Sequence, residues 1–197
     1  MSNNIHKVTS KVSYEDRCRL LGQKGIVLWL TGLSGSGKST IAVEVEKKLI
    51  DLKKAACLLD GDNIRSGLNS DLGFSDEDRM ENIRRVVEVA KLFRESGMAT
   101  IVSFITPFEE SRKFARKIIG DNFYFEIYVK ASLDTCLKRD PNGLYAKALN
   151  NNISQFTGIS SNYEEPENPD LIIDTEKLSV EESIEKLLKF VLEKIKI

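Results

Sequence analysis

Five short apolar runs punctuate the chain: residues 26–30 (IVLWL), 55–59 (AACLL), 99–105 (ATIVSFI), 123–129 (FYFEIYV) and 171–174 (LIID). Each is continuous rather than alternating, the pattern of a strand buried on both faces, as in a parallel sheet. Between the runs the period changes. Residues 76–97 carry apolar side chains at 83, 86, 87, 90 and 93, one face of a helix, with Gly97 as the stop. Helical patterns also cover 38–50, 109–119, 132–139 and 179–195. Strands alternating with helices predict an α/β fold, a parallel β-sheet with helices on both faces. A chain of 197 residues suffices for one core and is short for two, so an N-terminal segment (1–24) and a single domain (25–197) are expected.

Residues 140–170 break the alternation. They hold three of the four prolines and few signals of either period. A stretch this long without regular structure predicts a mobile functional loop, a lid. Tyr145, Phe156 and Tyr163 give it apolar anchors.

The turn after the first run reads GLSGSGKST, and Gly32-x-x-x-x-Gly37-Lys38-Ser39 has P-loop spacing. Gly32, Leu33, Ser34, Gly35, Ser36, Gly37, Lys38, Ser39 and Thr40 therefore form the predicted phosphate cradle. Glycines let backbone N–H groups turn toward phosphate oxygens, Lys38 adds a cation, and the Ser39 hydroxyl is a ligand for Mg²⁺. The motif lies between a predicted strand and a predicted helix, the context that gives it meaning. A nucleoside triphosphate with Mg²⁺ is the expected ligand.

What accepts the phosphate depends on other segments. There is no N-K-x-D guanine motif, and the third run ends in Thr106-Pro107 rather than a Walker B aspartate. The apolar run that does close on carboxylates is CLLDGD. Metal control, or activation of an attacking hydroxyl, thus falls to Asp60 and Asp62, although a helix cap would account for one of the two. Beyond it, Arg65, Phe74, Arg79, Asn82, Arg84 and Arg85 crowd one stretch, with Arg79 and Asn82 at i, i+3. An Arg fork suits phosphate or sulfate oxygens, and an aromatic ring suits a base. Any one of these arginines alone reads as an ordinary ion pair. Together they point to an anionic, aromatic acceptor.

Composition adds mainly exclusions. A formal net charge of −1 gives no broad attraction to nucleic acid or to a membrane surface. No apolar run approaches the roughly 20 residues that span a bilayer, and the N-terminus lacks the apolar core of a signal peptide. A cytoplasmic protein is expected. Cys18, Cys57 and Cys136 are odd in number and unpaired in spacing, as reduced thiols are. His6 has no metal-ligand neighbours and receives no role.

With these segments in view, the chain resembles the adenylylsulfate (APS) kinases over nearly its full length. The resemblance is carried by GLSGSGKST, LDGDNIRSGLN, DLGFS, ENIRR, FITPF, RDPNGLY, FTGIS, PENPD and DT. It implies a P-loop NTPase fold and transfer of the γ-phosphate of MgATP to the 3′-hydroxyl of adenosine 5′-phosphosulfate, giving PAPS and ADP. It implies a homodimer as well. By the same resemblance Lys38, Asp62 and Thr106 are catalytic, Ser39 and Asp62 serve the metal, and Arg139 contacts the ATP side. Asp62, Arg65, Phe74, Arg79, Asn82, Ile105 and Thr106 line the acceptor pocket. Lys147, Phe156, Ile159 and Ser160 close over the acceptor from the lid. The family usually has serine where Thr106 stands, commonly assigned as a phosphoserine intermediate; direct in-line transfer needs no phosphoenzyme and is the expected route. Two rivals are a kinase for the 3′-hydroxyl of another nucleotide, such as a cytidine diphosphate derivative, and a regulatory nucleotide-binding module without catalysis. The intact Lys38, Ser39 and Asp62 speak against the second.

Overall fold

In the computed structural model, which describes His6, residues 8–150 and residues 155–197, the strand β1 (Ile26–Thr31) is buried at all six positions. It pairs in parallel with β3 (Ala99–Ser103) on one side and β4 (Tyr124–Lys130) on the other. Outside these lie β2 (Ala56–Asp60) and β5 (Leu171–Asp174), giving a five-stranded parallel sheet of order β2-β3-β1-β4-β5. Side chains of β1 alternate between two apolar layers. Ile26, Leu28 and Leu30 enter the layer shared with α2 (Lys38–Asp51) and α8 (Val180–Lys194). Val27 and Trp29 enter the layer built with α4 (Asp76–Glu95) and α5 (Glu109–Ile119). A central strand with helices on both faces has no polar side, so its sequence shows no alternation.

The expected strands and long helices all form, within one or two residues at their ends. Three helices were not expected. The helices α3 (Gly61–Ser66) and α7 (Leu144–Leu149) are six residues each, too short to display a period, while α6 (Leu133–Arg139) follows the predicted pattern. The first helix, α1 (Tyr14–Leu21), carries clear end signals: a Ser13–Asp16 capping box and Gly22 at φ 60°. Its apolar face is thin, with Cys18 its one buried residue. The helix α7 also corrects the expectation that 140–170 is irregular throughout, and residues 151–154 of that lid lie outside the described residues. The strand β3 stops at Ser103, two residues early, because Ile105 and Thr106 leave the sheet to line a cleft. All three cysteines are free, and among the described residues no helix is long and apolar enough to cross a membrane.

The N-terminal segment is stitched to the sheet by polar contacts. Tyr14 Oη donates to the Gly25 carbonyl at 3.0 Å. The fully buried Gln23 amide donates to the Ala55 and Gly97 carbonyls at 2.9 and 3.0 Å and accepts from Ala55 N at 2.9 Å. Truncating it orphans buried backbone groups at the feet of β2 and β3. Gln23→Ala is expected to lower the urea midpoint by an amount equivalent to about 2 kcal/mol at unchanged m-value. A midpoint within error of the parent would show that water replaces the amide freely.

Candidate active site

A cleft of about 900 Å³ opens at the C-terminal ends of β1, β2 and β3, where ligands of open parallel sheets bind. One wall is the P-loop between β1 and α2. Gly32 (φ 152°) has no room for a side chain: a Cβ there would stand 2.4 Å from the Val129 carbonyl oxygen. The loop's carbonyls are claimed from behind. Tyr145 Oη donates to Ser34 O at 2.9 Å, Arg139 Nη1 to Gly35 O at 3.4 Å, and Thr175 Oγ1 to Ser36 O at 3.0 Å. The cap residue of α2, Gly37, offers no side-chain acceptor, so the first N–H groups of this 14-residue helix are left for an anion.

Lys38 is buried, and its Nζ donates to the Gly32 and Leu33 carbonyls at 2.9 and 2.8 Å. Burial pushes its ammonium down to about 8, against the opposing pull of Asp60 and Asp62. It is a cation held short of its ordinary stability, and an incoming phosphate would restore what desolvation removes. Ser39 Oγ donates to Asp60 Oδ2 at 2.7 Å and lies 3.3 Å from Ser103 Oγ. The two carboxylates divide their work. Asp60 caps α3, its Oδ1 accepting from Asp62 N at 3.1 Å, while Asp62 in the first turn stays exposed in the cleft. The direct partner of Ser39 is thus Asp60, while Asp62 makes no bond to it. No group of three His, Cys, Asp or Glu side chains capable of caging a metal occurs among the described residues. An open set of hard oxygens, Ser39 with the two aspartates, suits Mg²⁺, which keeps most of its waters and takes the rest from phosphates.

The opposite wall holds the expected acceptor residues. Phe74, 62% exposed, carries the Arg65 guanidinium 4.5 Å above its ring, and Arg65 Nη1 donates to Gly73 O at 2.8 Å. Arg79 Nε donates to Phe74 O at 3.0 Å, and its Nη atoms reach Gln155 O and Thr157 Oγ1 across the cleft. Asn82 is buried, its Oδ1 accepting from Asn69 Nδ2 at 2.8 Å. Phe156 packs edge-on against Tyr145 at 4.9 Å and lines the cleft, as do Ile105 and Thr106. Arg139, exposed on the P-loop side, bonds Thr175 through both the hydroxyl (2.9 Å) and the carbonyl (2.7 Å).

Not every expected residue arrives. Lys147 sits exposed on α7 and does not line the cleft. Ile159 packs with the cluster around Cys136, Tyr145 and Phe156. Ser160 closes a turn, its Oγ accepting from Phe156 N at 2.9 Å. Arg84 and Arg85 form ion pairs outside the cleft: Arg85 meets Asp71 at 2.6 Å and Glu81 at 2.8 Å. Bonded by Arg84 and Arg85, the Glu81 carboxyl is held down to about 2. Sequence reasoning missed Asn69, Ser103 and Thr175. Thr175 had a signal in the DT pair at the end of the last apolar run, and Asn69 in the close of LDGDNIRSGLN; Ser103 had none.

The family model for adenylylsulphate kinase matches residues 24–174. This chain belongs to the adenylylsulfate kinase family. It is 53% identical over 191 residues to a probable adenylyl-sulfate kinase of Halalkalibacterium halodurans, covering 96% of this chain and 95% of the relative. An adenylyl-sulfate kinase of Phocaeicola vulgatus is 54% identical over 190 residues, covering 96% and 93%. Among solved structures, the Mycobacterium tuberculosis APS kinase CysC in complex with AMPPNP and APS superposes with a TM-score of 0.82 at 46% identity. It spans 86% of this chain and 98% of that one. The P-loop kinase fold expected from the sequence is the fold observed.

The division between Arg79 and Arg85 is testable by kinetics. Arg79→Gln is expected to raise KM for the anionic acceptor about 10- to 100-fold, the loss of a charge-assisted pair of bonds. Arg85→Gln is expected to leave it within about twofold, since its partners lie outside the cleft. Equal effects of the two substitutions would contradict this assignment.

Proposed function

We propose that this kinase transfers the γ-phosphate of MgATP to the 3′-hydroxyl of adenosine 5′-phosphosulfate, giving PAPS and ADP. One observation carries the reading. A single cleft has a P-loop on one wall, a paired Arg and aromatic cluster on the other, and Asp62 exposed between them.

The work of each group follows from its chemistry. The N–H groups at the start of α2 and Lys38 hold the triphosphate, and Lys38 follows charge onto the transferring phosphoryl group. Ser39 and the two aspartates would hold Mg²⁺, which would supply positive charge to the triphosphate. The adenine of the acceptor lies against Phe74 and Phe156, whose rings need no particular hydrogen-bond pattern. Arg65 and Arg79 exchange their carbonyl partners for phosphosulfate oxygens, a stronger charge-assisted contact. Asp62 then accepts or orients the proton of the 3′-hydroxyl as it attacks in line. Because Arg79 also holds Gln155 and Thr157, its exchange of partners couples acceptor binding to this part of the lid.

The test is ADP release from MgATP with adenosine 5′-phosphosulfate at low micromolar concentration, with other nucleotides as alternative acceptors and the product identified by mass. Turnover to PAPS with this acceptor alone is expected, and Asp62→Asn is expected to lower kcat about 10²- to 10⁴-fold. Transfer only to the ribose of another nucleotide would keep the kinase and refute its acceptor. ATP binding without any transfer would make it a regulatory module. Family resemblance also supports a homodimer, expected to sediment at about twice the 22.2 kDa chain mass.

A further inference from the structure

Thr106 is a β-branched residue in the left-handed region, at φ 41°, a conformation that such residues avoid unless the surroundings enforce it. What enforces it is buried. The Thr106 hydroxyl accepts a hydrogen bond from Trp29 Nε1 at 3.0 Å, and Trp29 is fully buried. The Thr106 carbonyl accepts from Arg112 Nη1 at 3.0 Å, and Arg112, itself 2% exposed, is paired with Glu126 at 3.1 Å. Thr31, the last residue of β1 before the P-loop, donates from its hydroxyl to the Ile105 carbonyl at 2.6 Å. Thr106 lines the cleft, yet its hydroxyl and its carbonyl are both engaged by buried donors.

We propose that Thr106 is a positioning residue: the Trp29–Thr106–Arg112 clamp fixes residues 105–107 as the acceptor wall and ties that wall to the strand carrying the P-loop. The inference rests on the acceptor reading proposed above and gives Thr106 a place in it that requires no phosphoryl transfer to its hydroxyl. Trp29 N–H takes one lone pair of the Thr106 oxygen, and the residue is 2% exposed, a setting for holding a wall rather than for offering a nucleophile. The two strands meet at the switch point of the sheet, one bringing the donor nucleotide and the other the acceptor. A clamp between them holds the distance that in-line transfer demands.

The test uses Thr106→Val, Thr106→Ser and Trp29→Phe in the full chain, with KM measured separately for MgATP and for adenosine 5′-phosphosulfate. Thr106→Val keeps the shape and removes the acceptor atom. It is expected to raise acceptor KM about tenfold while KM for MgATP stays within twofold, and Thr106→Ser is expected to recover most of the loss. Trp29→Phe is expected to match Thr106→Val, and the double variant to be no worse than either, because both remove one bond. Loss of kcat above 10³-fold in Thr106→Val at unchanged acceptor KM would overturn the proposal in favour of a chemical role. Equal loss for both substrates, or none, would overturn it too. Should Thr106→Val fail to fold, Thr106→Ser against Trp29→Phe carries the same comparison. Trp29 is the only tryptophan, so its emission reads the clamp without turnover: Thr106→Val should shift the band and Thr106→Ser should restore it. Parent protein that ignores the acceptor yet shows this emission pattern would refute the function and retain the clamp. An unshifted band in Thr106→Val would refute the clamp itself.

Discussion

Burial of β1 on both faces governs this molecule. A strand flanked by β3 and β4 and covered by helices above and below has only its ends free. Its C-terminal end must therefore turn within a few residues, in a space bounded by β4, and Gly32 against the Val129 carbonyl is the mark of that crowding. The phosphate cradle exists because a fully apolar strand delivers its chain to one fixed point. Among the groups gathered there Lys38 is buried, so little water softens its charge. The depressed Lys38 ammonium is the clearest sign of the resulting tension.

The cationic groups of the cleft rest on carbonyl oxygens: Lys38 on Gly32 and Leu33, Arg65 on Gly73, Arg79 on Gln155. Neutral carbonyls satisfy donors without neutralising them. Each contact is good enough to fix a rotamer and weak enough to yield to an oxyanion. The side chains are thereby aimed before any ligand arrives, which lowers the ordering cost of binding.

Much of this was legible in the sequence, where the signal was local. Continuous apolar runs gave the strands, one-faced periods gave the long helices, and the P-loop spacing located the cradle. What escaped depended on contacts between distant positions. That Arg85 belongs to Asp71 and Glu81 while Arg79 belongs to the cleft is decided by which face of α4 looks inward, and both lie in the same charged stretch. The division between Asp60 and Asp62 hangs on where β2 stops and α3 begins. Asn69 is one polar residue in a turn until Asn82 is brought beside it. Lys147, Ile159 and Ser160 were carried over from a resemblance, and the actual course of the lid turns them to solvent, to the apolar cluster and to a turn.

The contact of Thr175 with the P-loop bears on how the molecule is made. The cradle begins at residue 32, but one of the bonds that shape it comes from residue 175, just beyond the last strand. Its central strand also waits for partners, with β3 starting at residue 99 and β4 at 124. A chain emerging from the ribosome therefore carries its glycine-rich loop unshaped for most of its synthesis. Contacts of such long sequence separation form late and slowly. The cradle near the start of the chain is complete only once residue 175 has been made.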